Sequence, residues 1–187
     1  MTTNLVFLRH GETDWNLQHR YQGQMDIPLN ATGEQQAKDA NLLLRGMHFD
    51  QVFCSDLNRA MVTARYALQG IYPYEKIIFD RRLRERSFGI YEGGPYDKDK
   101  MPQHYLDEMK RDPENFKFPE GESLNDVYRR VRPFYDMVIE KYRGQTVLLV
   151  AHGSLLSIVQ FMVEGQPVID KNRNHLPNAK PFTMTVD

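Results

Sequence analysis

The run Leu5-Val6-Phe7-Leu8-Arg9-His10-Gly11-Glu12-Thr13 constrains this chain more than any other stretch. Four consecutive apolar residues read as a short strand buried on both faces, as in a parallel sheet covered by helices. The run then stops in arginine, histidine and glycine. A buried strand ending in two groups that need water or a counter-ion is a local conflict, and such conflicts gather at functional sites. Gly11 permits a sharp turn, so Arg9 and His10 need not point to opposite faces. His10 offers a ring nitrogen that can be neutral and nucleophilic near pH 7. Arg9 offers a permanent planar cation suited to phosphate or carboxylate. Taken alone, the stretch fits a nucleophile beside an anion clamp as well as it fits a strand end frayed into solvent.

A chain of 187 residues suits one domain, 1–187, with a sizeable core. A net charge of −1 and the lack of any polybasic run recommend neither nucleic acid nor a membrane surface. The one cysteine, Cys54, excludes an internal disulfide and a multi-cysteine metal site. No apolar run nears the roughly 20 residues of a membrane helix. Met1-Thr2-Thr3-Asn4 lacks the basic and apolar segments of a signal peptide, so a soluble cytoplasmic protein is expected.

Along the chain, strand and helix patterns alternate. Thr32 and Gln35 have capping-box spacing for a helix reaching about Gly46, with Ala37, Ala40, Leu43 and Leu44 inside. Gln51-Val52-Phe53-Cys54 reads as a second strand. Ser55 or Asp56 can cap the next helix, whose inner face is Ala60, Ala64, Ala67 and Leu68. Lys76-Ile77-Ile78-Phe79 reads as a third strand. Residues 80 to 121 are rich in glycine, proline and charge, with one short helix near Gln103 to Arg111; residues 87–121 form a candidate lid or specificity insertion. Ser123 and Asp126 cap the strongest helix, with Val127, Val131, Phe134, Tyr135, Val138, Ile139 and Tyr142 at helical spacing and Pro133 expected to kink it. Thr146 to Ala151 is another doubly buried strand; Ser154 then opens a helix, and Phe182 to Val186 adds a last strand. This order predicts an α/β fold, helices on both sides of a largely parallel sheet.

In open α/β sheets ligands bind beyond the carboxyl ends of the strands. The first strand ends in Arg9-His10-Gly11, the second runs into Ser55-Asp56-Leu57-Asn58-Arg59, and a later one ends in His152-Gly153. Arg59 in the first turn of a helix, and a protonated His152 just ahead of one, both oppose the helix dipole. One bound anion would resolve all these conflicts, and helix N-termini with arginine forks are a usual way to hold phosphate. A phosphoryl group held by Arg9, Arg59 and His152 would leave His10 as nucleophile, with its other ring nitrogen donating to a backbone carbonyl. The leaving oxygen would need a proton from a carboxyl group, and Glu12, Asp14, Glu85 and Glu92 are all placed to be considered.

At these residues the sequence resembles the histidine phosphatase superfamily, also called the phosphoglycerate-mutase-like family. Arg9-His10-Gly11-Glu12-Thr13 is followed by Trp15-Asn16, Tyr21-Gln22-Gly23, Pro28-Leu29 and Thr32-Gly33. Then come Ser55-Asp56-Leu57 ahead of Arg59-Ala60, Leu83-Arg84-Glu85, Phe88-Gly89, Glu92-Gly93, Gly121-Glu122-Ser123 and Val150-Ala151-His152-Gly153. The resemblance implies a three-layer α/β/α sandwich and a covalent phosphohistidine at His10. It implies a phosphate pocket of Arg9, Arg59 and His152, and Glu85 as proton donor. It places Asn16, Gln22, Gly23 and Gly153 against substrate, and calls for no metal and no cofactor.

Within such a family, phosphatases pass the phosphoryl group to water and mutases return it to a sugar acid. The mutases carry a longer insertion with a consecutive arginine pair for the substrate carboxylate. Residues 87 to 121 offer Lys98, Lys100, Lys110, Arg111 and Lys117 but no such pair, and Arg129-Arg130 falls in the long helix, where solvated charge is expected. The reading is therefore a phosphatase acting on a small phosphorylated metabolite, a sugar phosphate, a phosphorylated acid or α-ribazole phosphate. A cofactor-dependent phosphoglycerate mutase and a catalytically inactive phospho-ligand binder are the alternatives. Cys54 and Arg59 lack the five-residue spacing and the glycines of a cysteine phosphatase loop. His19, His48, His104 and His175 are expected to be solvated, and Tyr91 and Tyr96 to pack down.

Overall fold

The computed structural model describes residues 1–97, 101–168 and 176–187. Lys98, Lys100 and His175 lie outside the described residues. Five strands form one sheet: β1 (Thr3–Arg9), β2 (Gln51–Cys54), β3 (Ile78–Phe79), β4 (Thr146–Ala151) and β5 (Pro181–Val186), in the order β3-β2-β4-β1-β5. The first four are mutually parallel, and β5 runs antiparallel along β1. Helices cover both faces, which is the mostly parallel sandwich expected.

The period-two alternation of β1 and β4 sorts side chains to the two layers. Leu5, Phe7, Val147, Leu149 and Ala151 pack with α5 (Leu124–Lys141) and α6 (Gly153–Glu164). Val6, Leu8, Leu148 and Val150 pack with α2 (Ala31–Leu44) and α3 (Asn58–Ala67). The helices of the second layer offer it small residues, Ala40, Ala60, Ala64 and Ala67, all fully buried. The capping box of Ser123 and Asp126 opens α5 as expected, and that helix continues through Pro133, which lies on its exposed side.

Several local expectations are corrected. Asn30, not Thr32, caps α2: its side chain accepts from Gly33 N–H at 2.8 Å, while Thr32 is exposed. Leu43 faces solvent, because the buried stripe Gly33, Ala37, Ala40 and Leu44 lies on the other side of that helix. Neither Ser55 nor Asp56 is the N-cap residue of α3, whose cap is Leu57 with no side-chain bond; Asp26 reaches across to accept from Asn58 N–H at 2.7 Å. Asp56 is held instead by both arms of Arg84 at 2.7 Å. The third strand shrinks to Ile78–Phe79 at the sheet edge, since Tyr74–Lys76 closes into a 3₁₀ turn. A four-residue helix, α1 (Asp14–Leu17), capped by Thr13 and Asn16, was not expected.

The segment expected to hold one short helix does so: α4 spans Gln103–Arg111. Around it an aromatic cluster forms apart from the two sheet-face cores, with Tyr21, Met101, Phe116 and Phe118 buried and Phe88, Tyr91, Tyr105, Leu106 and Met109 against them. Among the described residues no helix is long and apolar enough to cross a membrane.

The turn after β1 is fixed by two glycines in mutual contact. A Cβ at Gly33 would overlap the Glu12 carbonyl oxygen, and one at Gly11 would overlap the Gly33 carbonyl oxygen. Gly33→Ala should therefore lower the urea midpoint by an amount worth about 1–3 kcal/mol. A variant with the parent's midpoint would show that this approach is looser than described.

Candidate active site

Strand register assembles the site. Arg9 stands opposite Ala151 and Cys54 opposite Val150, so His10 and His152 arrive level at one edge of the sheet, with Ser55 one position behind His152. The ladder extends into them: His10 N–H donates to Ala151 O and Ser55 N–H to Val150 O, both at 2.9 Å. The His10 and His152 ring centres are 5.2 Å apart.

His10 is buried, and its Nδ1 lies 2.6 Å from the Gly11 carbonyl oxygen. A carbonyl only accepts, so Nδ1 carries the hydrogen and Nε2 keeps its lone pair. Asn178 Nδ2 donates to His10 O at 2.8 Å, and Ala179 N–H to Arg9 O at 2.9 Å. Gly11 N–H donates to Thr63 Oγ1, whose hydroxyl donates to Arg59 O, so the turn after β1 is fastened to α3.

Arg59 is 0% exposed, an unusual burial for a guanidinium. It donates to Met25 O at 2.7 Å and Gly23 O at 2.8 Å, pinning the loop that carries Gln22 and Gly23. Gly23 has a φ of +52°, and a Cβ there would overlap the Glu92 carboxylate. That carboxylate accepts from Gln24 N–H, Ser87 Oγ and Phe88 N–H, which makes Glu92 the tie between two loops. Arg9 donates from Nη1 to Leu176 O at 2.9 Å. His152 Nε2 is 2.8 Å from Ser55 Oγ. Three nitrogens, Arg9 Nε, Arg59 Nε and His152 Nδ1, and the Gln22 oxygen Oε1 are buried with no hydrogen-bond partner among the described residues.

Burial is the largest influence on all four basic groups. It pushes both imidazoles well below their usual range, with Arg59 and Arg9 adding to the effect at each ring. It also lowers Arg9, and takes Arg59 down to about 10, in both cases against the opposing pull of Glu85. Near neutral pH the site therefore holds two neutral rings and two charged guanidiniums.

Of the four carboxyl groups considered, Glu85 alone lines the cavity among the described residues. Glu12 accepts from Asn30 Nδ2, Asp14 is exposed, and Glu92 is the loop tie just described. Glu85 sits on the start of α6, accepting from Ser154 N–H at 3.1 Å, Leu155 N–H at 3.3 Å and Arg86 N–H at 2.8 Å. Its backbone is held by a residue expected to be solvated. Arg130 is instead drawn inward, donating to the carbonyls of Arg82, Arg84 and Glu85 and gripping both oxygens of Glu122. Those inward-facing carbonyls need donors, and a long arginine on the adjoining turn of α5 supplies them. Arg129, one residue earlier, is exposed as expected.

One cavity of about 290 Å³ is lined by Arg9, His10, Asn16, Gln22, Gly23, Arg59, Glu85 and Gly153, every expected site residue except His152, which lies against His10. Asn16 uses its Oδ1 on Thr13, leaving its amide hydrogens. A Cβ at Gly153 would sit 3.5 Å from Arg9 Nε, so glycine there is not demanded by space. The expectation that Tyr91 and Tyr96 pack down holds for Tyr91, which packs in the aromatic cluster, while Tyr96 lines the cavity. His19 also lines it, where solvation alone was expected. Among the described residues no group of three or more His, Cys, Asp or Glu side chains is arranged to hold a metal ion. The geometry thus presents one lone-pair nitrogen, two cations and a carboxyl group to a single space.

Comparison with known proteins gives the family. Residues 5–186 match the family model of the histidine phosphatase superfamily (branch 1). The chain is 34% identical over 172 residues to the uncharacterized phosphatase PhoE of Bacillus subtilis, covering 91% of this chain and 83% of that one. It is 35% identical over 174 residues to a 2,3-bisphosphoglycerate-dependent phosphoglycerate mutase of Mesorhizobium japonicum, covering 89% and 84%. The structure of a mycobacterial glucosyl-3-phosphoglycerate phosphatase with VO3 superposes with a TM-score of 0.83 at 31% identity, over 96% of this chain and 91% of that one.

The two depressed imidazoles make stability depend on pH. Between their folded values and about 6.5, the unfolded chain binds protons that the folded protein does not. Stability is then complete above about 6.5 and is lost on acidification, by up to roughly 1.4 kcal/mol per ring and pH unit. An anion among these groups would raise both rings toward or above the unfolded value. The melting temperature should thus fall between about pH 7.5 and pH 5.5 in a non-coordinating buffer, and less steeply with inorganic phosphate. Identical slopes in the two buffers would contradict this electrostatic account.

Proposed function

The chain belongs to the histidine phosphatase superfamily, and we propose that it hydrolyses small phosphomonoesters through a phosphohistidine at His10, within a single catalytic domain spanning 1–187. The observation that carries the proposal is the Nδ1 contact to Gly11 O, which leaves free the Nε2 lone pair of a ring that lines the same cavity as two guanidiniums. Attack by Nε2 on phosphorus forms the N–P bond as the ester P–O bond breaks. Arg9 and Arg59 balance charge on the equatorial oxygens, and their unpartnered Nε–H groups are donors for them. His152, neutral, adds a donor without a further charge. Its Nδ1 bears the hydrogen if Ser55 donates its hydroxyl to Nε2, a geometry consistent with Leu57 N–H donating to the same oxygen.

Glu85 is the proposed proton donor to the departing alkoxide. Water then attacks the phosphohistidine, Glu85 takes its proton, and the N–P bond breaks to release phosphate. Positive charge comes from the arginines, so the reaction as written calls for no metal or cofactor. Asn16, Gln22, Gly23 and Gly153 shape the space around the ester. Water is favoured as acceptor because, of the described basic side chains considered for a carboxylate clamp, Arg130 is engaged on backbone and Glu122, Lys117 and Arg129 on Asp126, and Lys110 and Arg111 do not line the cavity. Residues 87–121 act as the specificity segment.

Brief incubation with a labelled phosphate ester, followed by alkaline quench, should trap an acid-labile phosphoprotein that His10→Ala cannot form. Labelling that persists in the variant would overturn the assignment. Glu85→Gln should slow an alkyl phosphate by roughly 100-fold or more and p-nitrophenyl phosphate far less, since that leaving group needs little proton assistance. Equal slowing of both would mean that Glu85 only binds.

A further inference from the structure

The cavity has two kinds of lining. Arg9, His10, Arg59 and Glu85 give it charge and a nucleophile, with polar neighbours such as Asn16, His19, Gln22 and Ser154. An apolar share of its wall is drawn from Tyr21, Phe88, Met109, Phe116 and Phe118, beside the exposed Tyr96. Tyr21, Phe88, Met109, Phe116 and Phe118 belong to the aromatic cluster built by residues 87–121 and the loop after α1. Tyr21 meets Phe88 at 4.8 Å, Tyr96 at 4.9 Å and Phe118 at 5.5 Å between ring centres, and Phe116 meets Phe118 at 5.0 Å. A core for the inserted segment would explain Met101, Tyr91, Tyr105 and Leu106, which do not line the cavity. It does not explain why the remaining members are turned toward a space that also holds buried cations.

We infer that the site is built for phosphomonoesters whose alcohol is apolar and ring-sized, rather than for esters that carry a carboxylate. The inference rests on the phosphatase reading above and specifies its substrate class. Aromatic faces carry negative potential, so a carboxylate set against them loses hydration and meets repulsion, whereas an apolar ring gains contact there. The other guanidiniums lining the cavity are placed accordingly. Arg86 is spent on the carbonyls of Glu122 and Phe116, and Arg20 lies at the rim over the Trp15 ring at 5.3 Å. The volume, about 290 Å³, is at the small end of ligand sites and suits a phosphate with one ring rather than a disaccharide or dinucleotide.

The test compares benzyl phosphate, glycerol 3-phosphate and 3-phosphoglycerate, whose leaving alkoxides are similarly poor, so that differences in kcat/KM report the alcohol pocket and not proton donation. Benzyl phosphate should exceed each of the others by about tenfold or more, as burial of a ring predicts. Met109→Ser on the partly exposed face of α4 and, separately, Tyr96→Ser should lower the benzyl-to-glycerol ratio, acting through KM. Hydrolysis of all three with no preference for benzyl phosphate, or a preference for 3-phosphoglycerate, would overturn this inference and leave the phosphatase reading standing. Failure to hydrolyse any of them, or p-nitrophenyl phosphate, would overturn both.

Discussion

The pairing of β1 with β4 is the constraint on which the rest of this molecule depends. With Arg9 opposite Ala151, the two histidines emerge side by side, and the 5.2 Å between their rings follows from the spacing of adjacent strands. A slip of one residue would carry Val6 and Leu8 to the wrong layer and separate the rings at once. Both layers are packed with fully buried side chains, so the core that holds the sheet together also holds the site in place. Precision at the strand ends is a by-product of hydrophobic register.

Charge is then brought to those ends against its own preference. Arg59 is removed from water with no ion pair to a carboxylate among the described residues, and its hydrogen bonds there go to two backbone carbonyls. Desolvation disfavours a cation and an imidazolium alike, but their responses differ. The imidazoles can remain neutral, while the guanidiniums, starting far higher, stay charged. One burial thus yields a nucleophilic ring and an anion-attracting field together. Glu85, from across the cavity, partly offsets that field at both arginines.

The loops around the cavity are tied by carboxylates that are not part of it. Glu92 spans the loops at Gln24 and Ser87–Phe88, and Glu122 links Arg130 to Ser87 N–H. Arg130 then fastens the backbone from Arg82 to Glu85 onto α5. An irregular segment full of glycine and charge acquires definite geometry in this way, without a strand or long helix of its own. The aromatic cluster adds an apolar floor beneath it.

Read by itself, the chain determined the parts that are local. Apolar runs marked β1 and β4, the alternation of strand and helix marked the layered sheet, and Ser123 with Asp126 marked the start of α5. The residue types at the strand ends already pointed to an anion beside a histidine. Tertiary structure decided what depends on distant neighbours. It brought Glu85 to the cavity and set Glu12 and Glu92 to other work, placed Ser55 against His152, drew Arg130 inward and turned Met109 and Phe118 toward the cavity. It also moved the cap of α2 from Thr32 to Asn30, whose side chain accepts from Gly33 N–H. The physical reason is one of range. Periodicity and capping are settled within a few residues of chain, whereas strand register, loop ties and the burial that sets each proton affinity arise only between segments far apart in sequence.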